Sequence, residues 1–240
     1  MKIRKLLTTI PALLLALVFS ASSQAVPIKT ALGIALDASG SISLAEFEVQ
    51  RSAYLAVLGD NTIVPADGSV ILNVVQFSSS ATLEQTAIRL NNEADRTTLL
   101  TSITNMVKIG GGTNIGAGID TSRIDMDAYL LGFVAADFDA AFRKLIDVST
   151  DGAGTIGNSV TDALAAGYQG VNCLGIGAGA SCTWNLAGLD FAASTFAEVE
   201  SALRLKIGTE LGTGGAPEPG TLALLGLGLA GLGLARRKKA

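Results

Sequence analysis

Apolar runs of strand length alternate with segments of helical periodicity along the middle of the chain. The run from Val70 to Phe77 (VILNVVQF) is dense in β-branched residues, which is typical of a strand covered on both faces. Alternation of such runs with helical segments predicts an α/β fold. We expect a Rossmann-like, doubly wound, mostly parallel central sheet with helices on both faces. In such sheets ligands bind beyond the carboxyl ends of the strands.

Periodicity and capping residues set the boundaries of the other predicted elements. Leu44 to Leu58 has helical spacing, with Ser43 as its N-cap and Glu46 as the capping-box partner. Ala81 to Leu90 contains alternating polar residues, which predicts an edge strand. No last strand can be identified within 180–193. The remaining predicted strands are 31–36, 144–148 and 171–176, and the remaining predicted helices are 92–106, 115–124, 159–166 and 196–205.

The first 25 residues have the pattern of a signal peptide. Three basic residues precede the apolar run Ile10 to Phe19, and small residues end the segment at Ala25. The alternative is a retained membrane helix, but a span needs about 20 apolar residues. We therefore predict cleavage by signal peptidase after Ala25 and export of the remaining chain.

The C-terminal residues 217–240 have three parts in a fixed order. Pro217-Glu218-Pro219 comes first, an uncharged apolar helix from Thr221 to Ala235 follows, and four basic residues come next. This order resembles the PEP-CTERM sorting signal of Gram-negative bacteria. The resemblance implies processing by exosortase, passage across the inner membrane, and a final location at the cell surface or outside the cell. The alternative is a plain transmembrane anchor, and in both cases only this tail contacts the membrane.

Between these ends we expect one domain over 26–211 and a Gly-rich linker over 212–216. Residues 26–216 carry 10 Lys and Arg against 20 Asp and Glu, a net charge of −10, which argues against nucleic acid as a partner. The chain has no histidine, which excludes a Ser-His-Asp triad and imidazole zinc sites. We predict no catalytic residues and no enzymatic activity.

Two further groups of residues have more than one interpretation. Cys173 and Cys182 either form a disulfide, as expected in an exported protein, or remain two buried thiols. Two D-x-D pairs lack the continuation that a calcium loop requires, so we interpret them as solvated charge rather than as a second ion site. Their members are Asp125, Asp127, Asp137 and Asp139.

Polar side chains follow three predicted elements at the end of the sheet where ligands bind. Asp37, Ser39 and Ser41 follow the first strand, Thr113 lies in a glycine-rich turn, and Asp151 follows a later strand. Together they offer only oxygen ligands, which suit a hard divalent cation. Mg²⁺ is the expected ion, with Mn²⁺ or Ca²⁺ as alternatives. A capping role for the first three residues is the other interpretation, but Ser43 already serves as the cap.

The stretch Asp37-Ala38-Ser39-Gly40-Ser41, with Thr113 and Asp151, resembles the metal-ion-dependent adhesion site (MIDAS) of von Willebrand factor type A domains. The resemblance runs from about Lys29 to Leu211. It implies that Ser39, Ser41 and Thr113 coordinate through hydroxyls, and that the two aspartates coordinate directly or through water. It also implies adhesion to a protein or acidic polymer that supplies a carboxylate to the metal. The alternatives are a structural part of an extracellular matrix or surface assembly, and a metal-dependent enzyme acting on exported polymers. The resemblance of the C-terminal tail implies a role in a biofilm or extracellular matrix.

Overall fold

The computed structural model describes residues 25–185 and 187–213. The predicted sorting tail, and all but the last residue of the predicted signal peptide, lie outside these ranges. Among the described residues no helix is both long enough and apolar enough to cross a membrane.

A six-stranded sheet forms the centre of the domain, in the order β3-β2-β1-β4-β5-β6. All neighbouring strands are parallel except β2 and β3. The strand β3 lies at the edge of the sheet, as predicted, and it is antiparallel to β2. This confirms the mostly parallel sheet. The strands are β1 (Ile28–Asp37), β2 (Val70–Phe77), β3 (Ala81–Arg89), β4 (Phe138–Thr150), β5 (Gly170–Ile176) and β6 (Asp190–Ala193).

Five α-helices in the described chain cover the two faces of this sheet. One face packs on the side chains of α1, α2 and α5, and the other packs on α3 and α4. Helices on both faces agree with the prediction. The helices are α1 (Leu44–Leu58), α2 (Glu93–Thr104), α3 (Ile115–Leu130), α4 (Ser159–Ala165) and α5 (Val199–Leu211).

The start of α1 shows how local sequence sets an element next to the sheet edge. Ser43 Oγ accepts a 3.2 Å hydrogen bond from Glu46 N, and Glu46 Oε2 accepts a 2.8 Å bond from Ser43 N. Both bonds satisfy backbone donors that the first helical turn leaves free. The capping box is therefore confirmed, and it holds the helix that begins directly after the Asp37–Ser41 loop.

The segment 125–142 is divided between the end of a helix and the start of a strand. The helix α3 continues to Leu130, and β4 already begins at Phe138. The solvated-charge interpretation is wrong for Asp125 and Asp127. Asp125 Oδ2 accepts from Asn73 Nδ2 at 2.9 Å and from Ala87 N at 2.7 Å, and Asp127 pairs with Lys144 at 2.9 Å. Sequence reasoning missed these contacts because their partners lie on three different strands.

The last sheet edge is formed within the segment that showed no strand pattern. β6 has only four residues and pairs parallel to β5. Of the two alternatives for the cysteines, the structure has the disulfide: Cys173 on β5 is bonded to Cys182. The disulfide connects β5 to the loop that leads towards β6. A strand of four residues is too short to show a period.

Candidate metal centre

The carboxyl ends of β1 and β4 are adjacent, and the predicted ligands gather there. Leu36 on β1 is in register with Ser149 on β4. Asp37 is the last residue of β1, and Asp151 directly follows β4. Parallel pairing therefore brings two carboxylates, more than 100 residues apart in sequence, to the same edge of the sheet.

A continuous hydrogen-bond chain joins three of the predicted ligands. Ser39 Oγ and Ser41 Oγ are 3.0 Å apart, and Ser41 Oγ donates to Asp151 Oδ1 at 2.9 Å. Adjacent oxygen ligands of octahedral Mg²⁺, at metal–oxygen distances of 2.0–2.1 Å, are about 2.9 Å apart. The donor spacing therefore fits a small hard cation, and all of these donors are oxygens.

Asp37 is buried and held from two sides. Its Oδ1 accepts from Ser39 N at 2.8 Å, and its Oδ2 accepts from Thr150 Oγ1 at 2.6 Å. Burial raises the pKa of Asp37, the hydrogen bonds from Ser39 and Thr150 oppose that rise, and the nearby Asp151 carboxylate adds to it. A cation at this edge would offset both the burial and the repulsion between the two carboxylates.

Thr113 lies in the neighbouring loop between α2 and α3. This loop contacts the Asp37–Ser41 segment through its backbone: Gly40 N donates to Gly111 O at 2.7 Å, and Gly110 N donates to Ala38 O at 2.9 Å. In the described part of the chain, hydrogen bonds join the other four predicted ligands to one another, and the Thr113 hydroxyl takes no part in those bonds. Four of the five residues are thus linked through direct bonds or shared partners, and Thr113 adjoins them.

Glycine permits the close approach of these two loops. A Cβ added to Gly40 would lie 3.0 Å from Gly111 O. Gly111 itself has a φ of +108°, a backbone conformation that other residues rarely adopt. A side chain at Gly40 would therefore push the Gly111 backbone away from the Asp37–Ser41 loop, whereas a side chain at Gly111 would meet Ser79 Oγ at 2.8 Å.

Two residues of this edge were missed by the sequence analysis. Thr150 holds Asp37, and Lys108 Nζ donates to Ser39 O at 2.7 Å and to Ala38 O at 3.2 Å. The ammonium thus orders the loop and adds positive charge beside it. Neither residue belongs to a recognisable sequence motif. Thr150 is the last residue of a strand and directly precedes the predicted ligand Asp151, and this position is the one signal that could have indicated its role.

No cluster of three or more His, Cys, Asp or Glu side chains suited to a metal occurs in the part of the chain that the structure describes. The predicted site has only two carboxylates, and its other donors are hydroxyls. A site of this composition leaves a bound cation only partly neutralised, so the cation would stay electrophilic towards another carboxylate.

Comparison with solved structures shows where this fold recurs. Proximal thread matrix protein 1 from the mussel byssus is 21% identical, with a TM-score of 0.55 over 75% of this chain and 48% of that chain. A von Willebrand factor type A protein from Catenulispora acidiphila is 15% identical, with a TM-score of 0.60 over 77% and 43%. The PilB minor pilin from Streptococcus sanguinis is 16% identical, with a TM-score of 0.57 over 80% and 64%.

These likenesses establish the fold, which is that of von Willebrand factor type A domains. The chain spans about half the length of the mussel protein. Another structure of that protein is described as having a zinc-occupied MIDAS motif. That description concerns the mussel protein, and at this identity the likeness to the present chain shows the fold alone.

Two sequence families also match the chain, whereas no curated protein does. The PEP-CTERM protein-sorting motif matches residues 216–239 and indicates export to the surface or exterior of a Gram-negative bacterium. The family described as "Protein of unknown function (DUF1194)" matches residues 27–192, more than half of the chain. This protein therefore belongs to that family, with a domain of von Willebrand factor A type and a PEP-CTERM sorting motif.

Proposed function

We propose that this protein is an exported adhesion module that binds a divalent cation through Asp37, Ser39, Ser41, Thr113 and Asp151. The observation that carries the proposal is the chain of oxygen donors from Ser39 through Ser41 to Asp151. Mg²⁺ is the expected ion, with Mn²⁺ or Ca²⁺ as alternatives. When bound, the cation would supply an electrophilic point for a carboxylate of a protein or acidic polymer.

The protein's own residues would orient this site. Ser39 N and Thr150 Oγ1 fix the two oxygens of Asp37, and Ser41 fixes one oxygen of Asp151. Lys108 holds the carbonyl groups of the same loop. Preorganised donors lower the entropic cost of capturing an ion.

We further propose binding rather than turnover as the activity. The solved structures with this fold include a matrix protein, a minor pilin and a pilus adhesin, SpaC from Lactobacillus rhamnosus GG. Processing by exosortase follows from the sorting motif. A structural role in a matrix is the second candidate, which the mussel byssus protein favours.

Calorimetric titration of Mg²⁺ into the purified chain tests the proposal. Asp151→Ala should abolish binding while the circular dichroism spectrum stays unchanged. Asp139→Ala is the matched control, because it removes the same charge near the start of β4, far from the site. No heat of binding in the wild type with Mg²⁺, Mn²⁺ or Ca²⁺ would refute the metal-binding function. Thr113→Ala separates the candidate functions: lost ligand binding with an intact fold supports adhesion, whereas unfolding supports a structural ion.

A further inference from the structure

A second polar cluster lies in the core beneath α5, away from the candidate metal centre. Lys206 and Glu210 are one turn apart on α5, Asp147 lies on β4, and Asn172 lies on β5. None of the four is more than 3% exposed. Asp147 and Asn172 are direct neighbours in the sheet register, so their side chains are on the same face, which α5 covers.

The Lys206 side chain contacts both carboxylates of this cluster. Its Nζ lies 2.6 Å from Glu210 Oε1 and is in direct contact with Asp147 Oδ1. Asn172 Nδ2 donates to Glu210 Oε1 at 2.7 Å and so fixes the orientation of that carboxyl. The ring centre of Phe191 is 5.8 Å from Nζ. The amine of Lys206 therefore contacts two carboxyl groups at an interior site that has almost no contact with water.

If Lys206, Asp147 and Glu210 were all ionised, the cluster would have one negative charge without a partner cation. It would place two carboxylates and one ammonium in the core, where each buried ion loses its hydration. Within the described chain, neither oxygen of Asp147 nor Oε2 of Glu210 has a hydrogen-bond partner. Asp147 Oδ1 touches the ammonium of Lys206, which also pairs with Glu210, so two carboxylates share one cation. A neutral product would remove this cost.

We propose that Lys206 and Asp147 condense to form an intramolecular amide (isopeptide) bond, with Glu210 as the proton carrier. This would be a self-catalysed modification of the core, and it does not depend on the candidate metal centre.

The proton and electron balance needs no other reactant. Burial raises the pKa of Asp147, which favours the carboxylic acid that an amine can attack. The Glu210 carboxylate takes one proton from the Lys206 ammonium. The free Nζ then forms a bond to Cγ of Asp147. The carbon–hydroxyl bond of that acid breaks, and the hydroxyl leaves with a second nitrogen proton as water. The products are an amide, one water molecule and protonated Glu210, and the net charge is zero before and after.

Two physical factors drive the condensation in this location. Groups held in contact react with effective molarities of about 10⁵–10⁸ M, far above any concentration in solution. Burial also raises the pKa of Glu210, to about 7, so that this group exchanges protons readily near neutral pH. The amide carries no charge and therefore suits the core better than the ions that it replaces.

The bond would change how the domain transmits force. It would attach α5, the last described helix before the sorting tail, to β4, four residues before Asp151. A pull applied to the tail would then reach the strand that leads directly to Asp151 without detaching α5. Such a covalent path suits a surface protein that is held at its C-terminus.

Peptide mapping of the folded full-length chain tests the proposal. After reduction and alkylation, trypsin cleaves after Lys144 and Arg204, and a glutamyl endopeptidase cleaves after Glu198 and Glu210. Trypsin does not cleave after an acylated lysine. We expect peptide 205–210 joined to peptide 145–198, with the summed mass less one water molecule. Fragmentation should place the bond between Lys206 and Asp147. Recovery of free peptide 207–210 alone from folded wild-type protein would overturn the proposal.

Two variants and a control test the assigned roles. Lys206→Arg keeps the positive charge but cannot form the amide, so the joined peptide should disappear. Glu210→Gln removes the cleavage site after residue 210, so the joined peptide of this variant contains 205–236 in place of 205–210. Its appearance after synthesis should be slower by about 100-fold or more, because a proton carrier contributes that much. Lys144→Arg is the control, since Lys144 pairs with Asp127 outside the cluster and its replacement should leave the joined peptide unchanged. Joining at the wild-type rate in Glu210→Gln would refute the role of Glu210.

Discussion

Ser41 Oγ donates a 2.9 Å hydrogen bond to Asp151 Oδ1, and this single bond connects two loops that are 110 residues apart in sequence. Ser41 belongs to the loop after β1, and Asp151 follows β4. Because β1 and β4 are parallel neighbours, their carboxyl ends bring a hydroxyl and a carboxylate together. The contact defines the candidate metal centre more directly than any one motif does.

Ser41 and Ser43 are two residues apart but should respond to mutation in opposite ways. Ser41→Ala removes a predicted metal ligand and the bond to Asp151, so we expect Mg²⁺ affinity to fall by about 10–100-fold or more. Ser43→Ala removes the α1 cap and should cost about 1 kcal/mol of stability with little change in affinity. Calorimetry and urea unfolding measure the two effects. Equal effects of the two variants on affinity would show that the loop acts only as a helix cap.

Thr150→Val should destabilise the metal-free protein and weaken metal binding. The substitution keeps the volume but leaves Asp37 Oδ2 without its 2.6 Å donor. Loss of the partner of a buried carboxylate oxygen costs about 1–3 kcal/mol. Urea unfolding in the presence of a chelator measures this cost. Thr101→Val is the control, because the Thr101 hydroxyl is exposed and bonds only within α2, so its change should stay within about 0.5 kcal/mol.

The stability difference between the wild type and Glu210→Gln should depend on pH. Burial raises the pKa of Glu210 from 4.5 to about 7 in the folded chain. Between these two values the folded state binds more protons than the unfolded state, so the wild type should lose stability as pH rises. The loss should be complete above about pH 7.

Thermal unfolding of both proteins from pH 4 to 8 measures this difference. The glutamine variant lacks the titrating group, so subtraction removes the contribution of the carboxyl groups outside this cluster. A difference that does not change between pH 5 and 7 would show that Glu210 titrates as an ordinary exposed carboxyl.

Removal of the disulfide should affect both stability and the candidate metal centre. Replacement of Cys173 and Cys182 by alanine should cost about 2–3 kcal/mol, because the closed loop is short. The same loop lies against the site: a Cβ added to Gly179 would be 3.5 Å from Asp151 O. We therefore also expect weaker Mg²⁺ binding by calorimetry. Unchanged affinity would mean that Asp151 is positioned by β4 alone.

Local sequence determined most of the elements and the nature of the candidate site. The capping box at Ser43 and Glu46 depends on residues three apart, and the β-branched run Val70–Phe77 reads as a buried strand by itself. The five predicted ligands share one chemistry, oxygen donors, which is visible without a structure. Their role in metal binding remains a prediction.

Contacts between distant residues were decided only by the tertiary structure. Thr150 meets Asp37 because β1 and β4 are neighbours, and Asp125 is bonded within the fold because α3 crosses β2 and β3. The short β6 is a strand because β5 offers it a free edge. The meeting of Lys206 with Asp147 likewise depends on how α5 packs on the sheet. Periodicity and capping are properties of adjacent residues, whereas these partners are chosen by strand order and helix packing.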